Sequence, residues 1–206
     1  MHKDVHLFIG IELMIDYKKA AQTLGVEEAA VKAIASVESN GSGLITDPVS
    51  DKQVPKILFE RHIMFKRLRD NTPLKSAELM AKYPDIVNSS PGGYKGGIAE
   101  HERLAKAVQI DRVTALESAS WGSFQIMAYH WKTLGYTSVQ AFINDMYSEQ
   151  GQLDAFIKFI QADKRLVKAL KEKDWTTFAR IYNGPGYEKN AYHLKMKAEY
   201  DRFSKS

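Results

Sequence analysis

The 206-residue chain contains no cysteine. That absence excludes a disulfide framework, cysteine-ligated zinc and thiol redox chemistry, and it suits folding in a reducing compartment. Long apolar runs are missing as well. No stretch reaches the roughly 18 residues of a membrane span, and the amino-terminal MHKDVHLFIGIELMIDYKK is interrupted by Glu12, so neither a signal peptide nor a transmembrane anchor is read there. The six histidines, at positions 2, 6, 62, 101, 130 and 193, show no metal-ligand spacing, which argues against a zinc hydrolase; no cofactor is implied. Zinc-finger, aromatic RNA-binding and dense Lys/Arg-arm signatures are also lacking. A net charge of +4 with a pI near 9.0 therefore points to a polyanionic surface other than nucleic acid.

What is present reads as a soluble globular chain, with 44% hydrophobic and 26% charged residues. The length suffices for one sizeable core. No repeat or long linker divides it, so the expectation is one domain over 1–206, with 1–14 loosely attached. Helical periodicity covers Ile15 to Leu24, where Gly25 ends the helix, and Val26 to Glu38. Short strand-like runs follow at Gly43 to Thr46 and Ile57 to Phe59, suggesting a small hairpin or three-stranded flap. Helices are expected at 62–69 and 74–82. The segment NSSPGGYKGG, residues 88–97, places four glycines around Tyr94 and reads as a flexible, presented loop. After it the pattern is helical throughout, at 98–108, 113–118, 123–133, 139–148, 149–161, 164–172, 175–182 and 190–203.

One residue stands out against this pattern. Ala30, Ile34 and Glu38 form a single row on the second helix, so a carboxylate continues an apolar stripe at the helix end. A desolvated carboxylate is costly unless paired or neutralised. Burial therefore predicts a raised pKa, the property a general acid needs.

Three separated stretches, VESNGSG at 37–43, SWGSFQIM at 120–127 and IYNGPGY at 181–187, together resemble the lysozyme superfamily, in its goose-type lysozyme, lytic transglycosylase and phage N-acetylmuramidase branches. The string PKILFERH, residues 55–62, narrows the resemblance to the one-domain N-acetylmuramidases found among phage and prophage endolysins, and the likeness extends from Tyr17 to Phe203. It implies an α+β, predominantly helical lysozyme-like fold with a small β-hairpin flap after the catalytic helix. The implied activity is cleavage of the β-1,4 bond between N-acetylmuramic acid and N-acetylglucosamine in peptidoglycan, with Glu38 as the acid. The alternative within the same superfamily is a lytic transglycosylase, which uses Glu38 as sole acid and base and forms 1,6-anhydro products.

Glycoside hydrolysis commonly employs a second carboxylate. Glu60, at the end of the strand-like ILF run, is the first choice, unless it pairs with Arg61 or Arg67; Asp47 and Asp51 lie in a looser turn and are the alternatives. Ser120, Gln125, Tyr182 and Asn183 are expected along the sugar groove, with Tyr182 also holding the acid. Tyr94 and Trp121 are candidates to stack on sugar faces, whereas Trp131 is expected in the core. The basic amphipathic stretch 156–173 has two readings, a weak contact with anionic membrane or lipopolysaccharide and a helix pair packed on the core with a solvated lysine face. A monomer is expected, made in the bacterial cytoplasm without a signal peptide and reaching the wall through a phage-encoded membrane hole.

Overall fold

The computed structural model describes residues 15–39, 41–71 and 73–205. The expected loose segment, 1–14, lies outside the described residues. Helices α1 (Tyr17–Leu24) and α2 (Glu28–Glu38) lead into a hairpin of β1 (Leu44–Asp47) and β2 (Lys52–Pro55), and then into β3 (Ile57–Phe59). Helices α3 (Arg61–Asn71), α4 (Pro73–Lys82), α5 (Ala99–Val108) and α6 (Arg112–Glu117) precede strands β4 (Ala119–Trp121) and β5 (Ile126–Met127). The remainder is helical: α7 (Val139–Asp145), α8 (Glu149–Ala162), α9 (Lys164–Lys171), α10 (Trp175–Tyr182) and α11 (Tyr192–Phe203).

The helix starts follow from short polar side chains that accept otherwise orphaned first-turn amides. Asp16 caps α1, Asp111 α6, Ser138 α7, Ser148 α8, Asp163 α9 and Asp174 α10. Gly25, at φ 65°, ends α1 in the left-handed conformation that costs glycine little. Helix α2 buries Ala30, Val31, Ala33, Ile34 and Ala35. Its small side chains let neighbours approach closely, and α11 lies along it, with Ser36 Oγ donating to Glu199 at 3.2 Å. One apolar cluster runs from Ala20 through Phe59, Phe142, Phe156 and Phe178 to Met196.

Two antiparallel sheets form, β1-β2 and β3-β4-β5. The stretch 123–133, expected as helix, departs from that expectation. Trp121 pairs with Ile126 across a tight reversal in which Gly122 (φ 72°) and Gln125 (φ 49°) are left-handed, a backbone incompatible with a continuous helix. Gly122 is required for a second reason: a Cβ there would stand 2.8 Å from the Gln152 side-chain amide carbon. Periodicity alone does not separate a short buried strand pair from a helix.

Candidate active site

Helix α2 ends on Glu38, and the polypeptide reaches the sheet at Gly43, whose carbonyl accepts from Lys56 N–H at 2.8 Å. A Cβ on Gly43 would collide with the Gln152 amide and with Ser123 N, so glycine is what allows the post-helix turn to lie against the β4–β5 reversal. The other wall comes from α10. Asn183, its C-cap, has its backbone N–H fixed to Ala179 O at 2.8 Å, and its Nδ2 donates to both carboxylate oxygens of Glu38, at 3.1 and 2.9 Å.

Burial drives the Glu38 pKa up to about 7, and the Asn183 amide opposes this only in part. The negative end of the α2 dipole acts in the same direction as burial. No cation among the described residues compensates it. Tyr182, the residue before Asn183, sits partly buried in an aromatic cage, edge-on to Phe156 and Phe159 with centroids 5.7 Å away and stacked on Phe178. Burial, with the Glu38 charge as a secondary cause, pushes its phenol pKa up; it remains a neutral hydroxyl.

Strand alternation defines the second half of the site. Ile57, Phe59, Ala119, Trp121 and Ile126 face the core and are buried, whereas the cross-strand row Leu58, Ser120, Met127 turns to the opposite face. Glu60 continues the alternation on that face, its N–H bonded to Ser118 O at 2.9 Å. Its Oε2 accepts the Tyr94 hydroxyl at 2.7 Å and lies 3.1 Å from His62 Nδ1. That ring nitrogen is buried without an aligned hydrogen bond, so we count it as a close contact and not as a bond. Neither expected arginine partner is engaged with Glu60: Arg61 donates to loop carbonyls, and Arg67 pairs with Glu117.

The remaining candidates are placed as follows. Asp47 ends β1 partly buried, accepting from Ser50 Oγ at 2.6 Å and Val49 N–H at 3.1 Å, bonds that lower its pKa; it organises the hairpin tip. Asp51 occupies the same turn at φ 54°. Gln125 accepts from Ser120 Oγ and donates to Gly122 O, both at 2.8 Å, so the two polar side chains expected in the groove brace the turn beneath it. Trp121 is in the core. Trp131 packs against the core and donates Nε1–H to Glu117 at 2.6 Å. The basic segment has its apolar side buried through Leu166, Ala169 and Leu170. A cavity of about 340 Å³ beside α2 is lined by Ala35, Ser39, Gly43 and Phe124 but not by Glu38.

Glu100 and Arg103 escaped the sequence reading. They are 0% and 1% exposed and pair at 2.7 Å. The edge of β3 away from β4 is completed by them: Phe59 N–H donates to Glu100 at 3.1 Å, and Arg103 donates to Phe59 O at 3.0 Å. A helix thus supplies the two partners that a further strand would otherwise provide. The signal was available, because Glu100, Arg103, Leu104 and Ala107 share the buried stripe of α5.

Comparisons with known proteins give the family. The profile of the family Muramidase, described as N-acetylmuramidase, matches residues 27–204. The crystal structure of the Burkholderia AP3 phage endolysin superposes with a TM-score of 0.85 at 47% sequence identity, covering 93% of this chain and 71% of that one. No curated protein matches the chain. With most of its length matched by the profile, this chain belongs to the N-acetylmuramidase family, glycoside hydrolases that degrade peptidoglycan.

Proposed function

We propose that Glu38 is the general acid of this muramidase. The observation that carries the proposal is a partly buried carboxyl group, held by a neutral amide with no cation to ionise it, and consequently poised near pH 7. In the reaction, the Glu38 O–H transfers its proton to the glycosidic oxygen between N-acetylmuramic acid and N-acetylglucosamine as the C–O bond breaks. Water then adds to the oxocarbenium-like carbon and releases a proton, giving a reducing end, and uptake of one proton returns the Glu38 carboxylate to its acid form. Family membership favours this hydrolytic outcome over transglycosylation.

Glu60 and Asp47, both expected to assist, enter the proposal differently. Asp47 is engaged in its own turn. Glu60, on the sheet face with Tyr94, is given a role toward the sugar. Asn183 holds the acid, and Tyr182, in its aromatic cage next to Asn183, feels the Glu38 charge. The similarity to a phage endolysin supports a lytic role for the same chain: a monomer acting as one catalytic domain, reaching the wall through a phage-encoded membrane hole. No described helix is long and apolar enough to cross a membrane. The lysines of α9 would add electrostatic attraction to the anionic envelope, but the burial of its apolar side speaks against insertion.

Glu38→Gln is the test. It should abolish lysis of purified peptidoglycan while leaving the circular dichroism spectrum unchanged, and near-normal lysis would refute the assignment. Mass spectrometry of the parent products should show reducing ends; 1,6-anhydro ends would indicate the transglycosylase.

A further inference from the structure

Glu60, directly after β3, meets Tyr94 at 2.7 Å, and much of the surrounding framework acts to hold them together. The loop carrying Tyr94 has positive φ at Gly92, Gly93, Gly96 and Gly97, a composition that would leave an unanchored segment with high conformational entropy. It is anchored at both ends. Arg61, immediately after Glu60, donates to Ser90 O and Pro91 O at 3.0 Å each and to Pro84 O at 3.3 Å. Glu100 accepts from Lys95 N–H at 2.6 Å and Gly96 N–H at 3.1 Å through one oxygen, and from Phe59 N–H at 3.1 Å through the other. A single buried carboxylate therefore grips the residue before Glu60 and the residue after Tyr94.

We propose that Tyr94 and Glu60 form a preorganised carbohydrate subsite, in which the Tyr94 ring stacks on the apolar face of one N-acetylhexosamine of the glycan strand while Glu60 accepts a hydrogen bond from a hydroxyl of that sugar. This rests on the muramidase reading. Tyr94 is 46% exposed, so its ring is available to a ligand even though its hydroxyl is fixed. The hydroxyl engages Oε2 of Glu60, and a carboxylate retains acceptor capacity on its second oxygen. Burial first, and the Glu60 carboxylate next, push the Tyr94 phenol pKa up, so it stays a donor across working pH. An aromatic wall with one aimed polar group is the usual makeup of a small-ligand site, and a loop ordered before binding avoids an entropic cost on association. Arg61 and Glu100 are then positioning residues, and Glu60 acts on the sugar while Glu38 handles the proton.

The Glu38→Gln chain, titrated with stem-free glycan strands prepared from peptidoglycan, reads binding without depending on turnover. Adding Tyr94→Ala should weaken affinity about tenfold, and adding Tyr94→Phe, which keeps the ring, about threefold or less. In the otherwise parent chain, Glu60→Gln should lower kcat/KM about tenfold, chiefly through KM. Affinity unchanged by Tyr94→Ala would overturn the subsite. So would a loss of about a hundredfold in kcat at constant KM for Glu60→Gln, which would instead make Glu60 the second carboxylate. Cleavage of the glycan by Glu38→Gln would refute the acid assignment alone, because the Tyr94 effect is read on affinity.

Discussion

If Glu38 is neutral because of its surroundings, the folded state must bear a cost for ionising it, and that cost can be measured without substrate. Its pKa rises from 4.5 to about 7 on folding. Between those values the folded chain binds more protons than the unfolded one, so unfolding free energy falls as pH rises through the window. Below pH 4.5 both states are protonated and the contribution vanishes; above pH 7 the full penalty applies. The shift corresponds to about 3 kcal/mol. Glu38→Gln cannot ionise and escapes it. The stability difference between variant and parent should therefore swing by about 3 kcal/mol in favour of glutamine between pH 4.5 and pH 8.5. For a chain of this size that is roughly 6 to 12 °C in relative melting temperature. Urea unfolding followed by far-UV circular dichroism at both pH values is the assay, and using the difference cancels contributions from other titrating groups. A difference flat across pH would mean that folding leaves the Glu38 pKa at its ordinary value, so that the group is ionised at neutral pH, and the general-acid proposal would lose its physical basis.

Two further outcomes follow from the same contacts. Asn183 Nδ2 favours ionised Glu38, so Asn183→Leu, which keeps the site dry while removing the donor, should move the alkaline limb of the kcat/KM profile upward by about one pH unit; a limb that stays or moves down would remove Asn183 from control of the acid. Arg103→Met leaves Glu100 buried without its cation, which should cost about 3–5 kcal/mol in urea unfolding and expose Lys95 to tryptic cleavage as its loop loosens; unchanged stability and protease resistance would show that the pair does not hold the loop.

The candidate acid was legible because it violates a pattern: Glu38 occupies a row otherwise held by Ala30 and Ile34, and the helix it terminates is the one expected. Its partner was legible only as part of the turn in IYNGPGY, since nothing local shows that Asn183 faces a residue 145 positions away. Periodicity misled most at 123–133, where left-handed Gly122 and Gln125 turn the chain back as a strand. The glycine-rich 88–97 loop shows a different limit. Composition suggested mobility, and the anchors that restrain it, Arg61 and Glu100, lie outside it and act through carbonyls and amides that carry no sequence signal.

The protein handles two glutamates, the partly buried Glu38 and the fully buried Glu100, in opposite ways. Burial alone would raise the pKa of both. At Glu100 the amides of Lys95, Gly96 and Phe59, together with Arg103, outweigh it, and the pKa falls below the ordinary value. That carboxylate stays charged at neutral pH and serves as a rigid acceptor for strand and loop. At Glu38 one side-chain amide opposes burial, no cation among the described residues does, and the pKa reaches about 7. The difference arises from neighbours: among the described residues no cation faces Glu38, and the uncharged amide of Asn183 stands there instead. Replacing that amide by a cation would create a second structural ion pair, and the proton that the glycosidic oxygen needs would no longer be held at neutral pH.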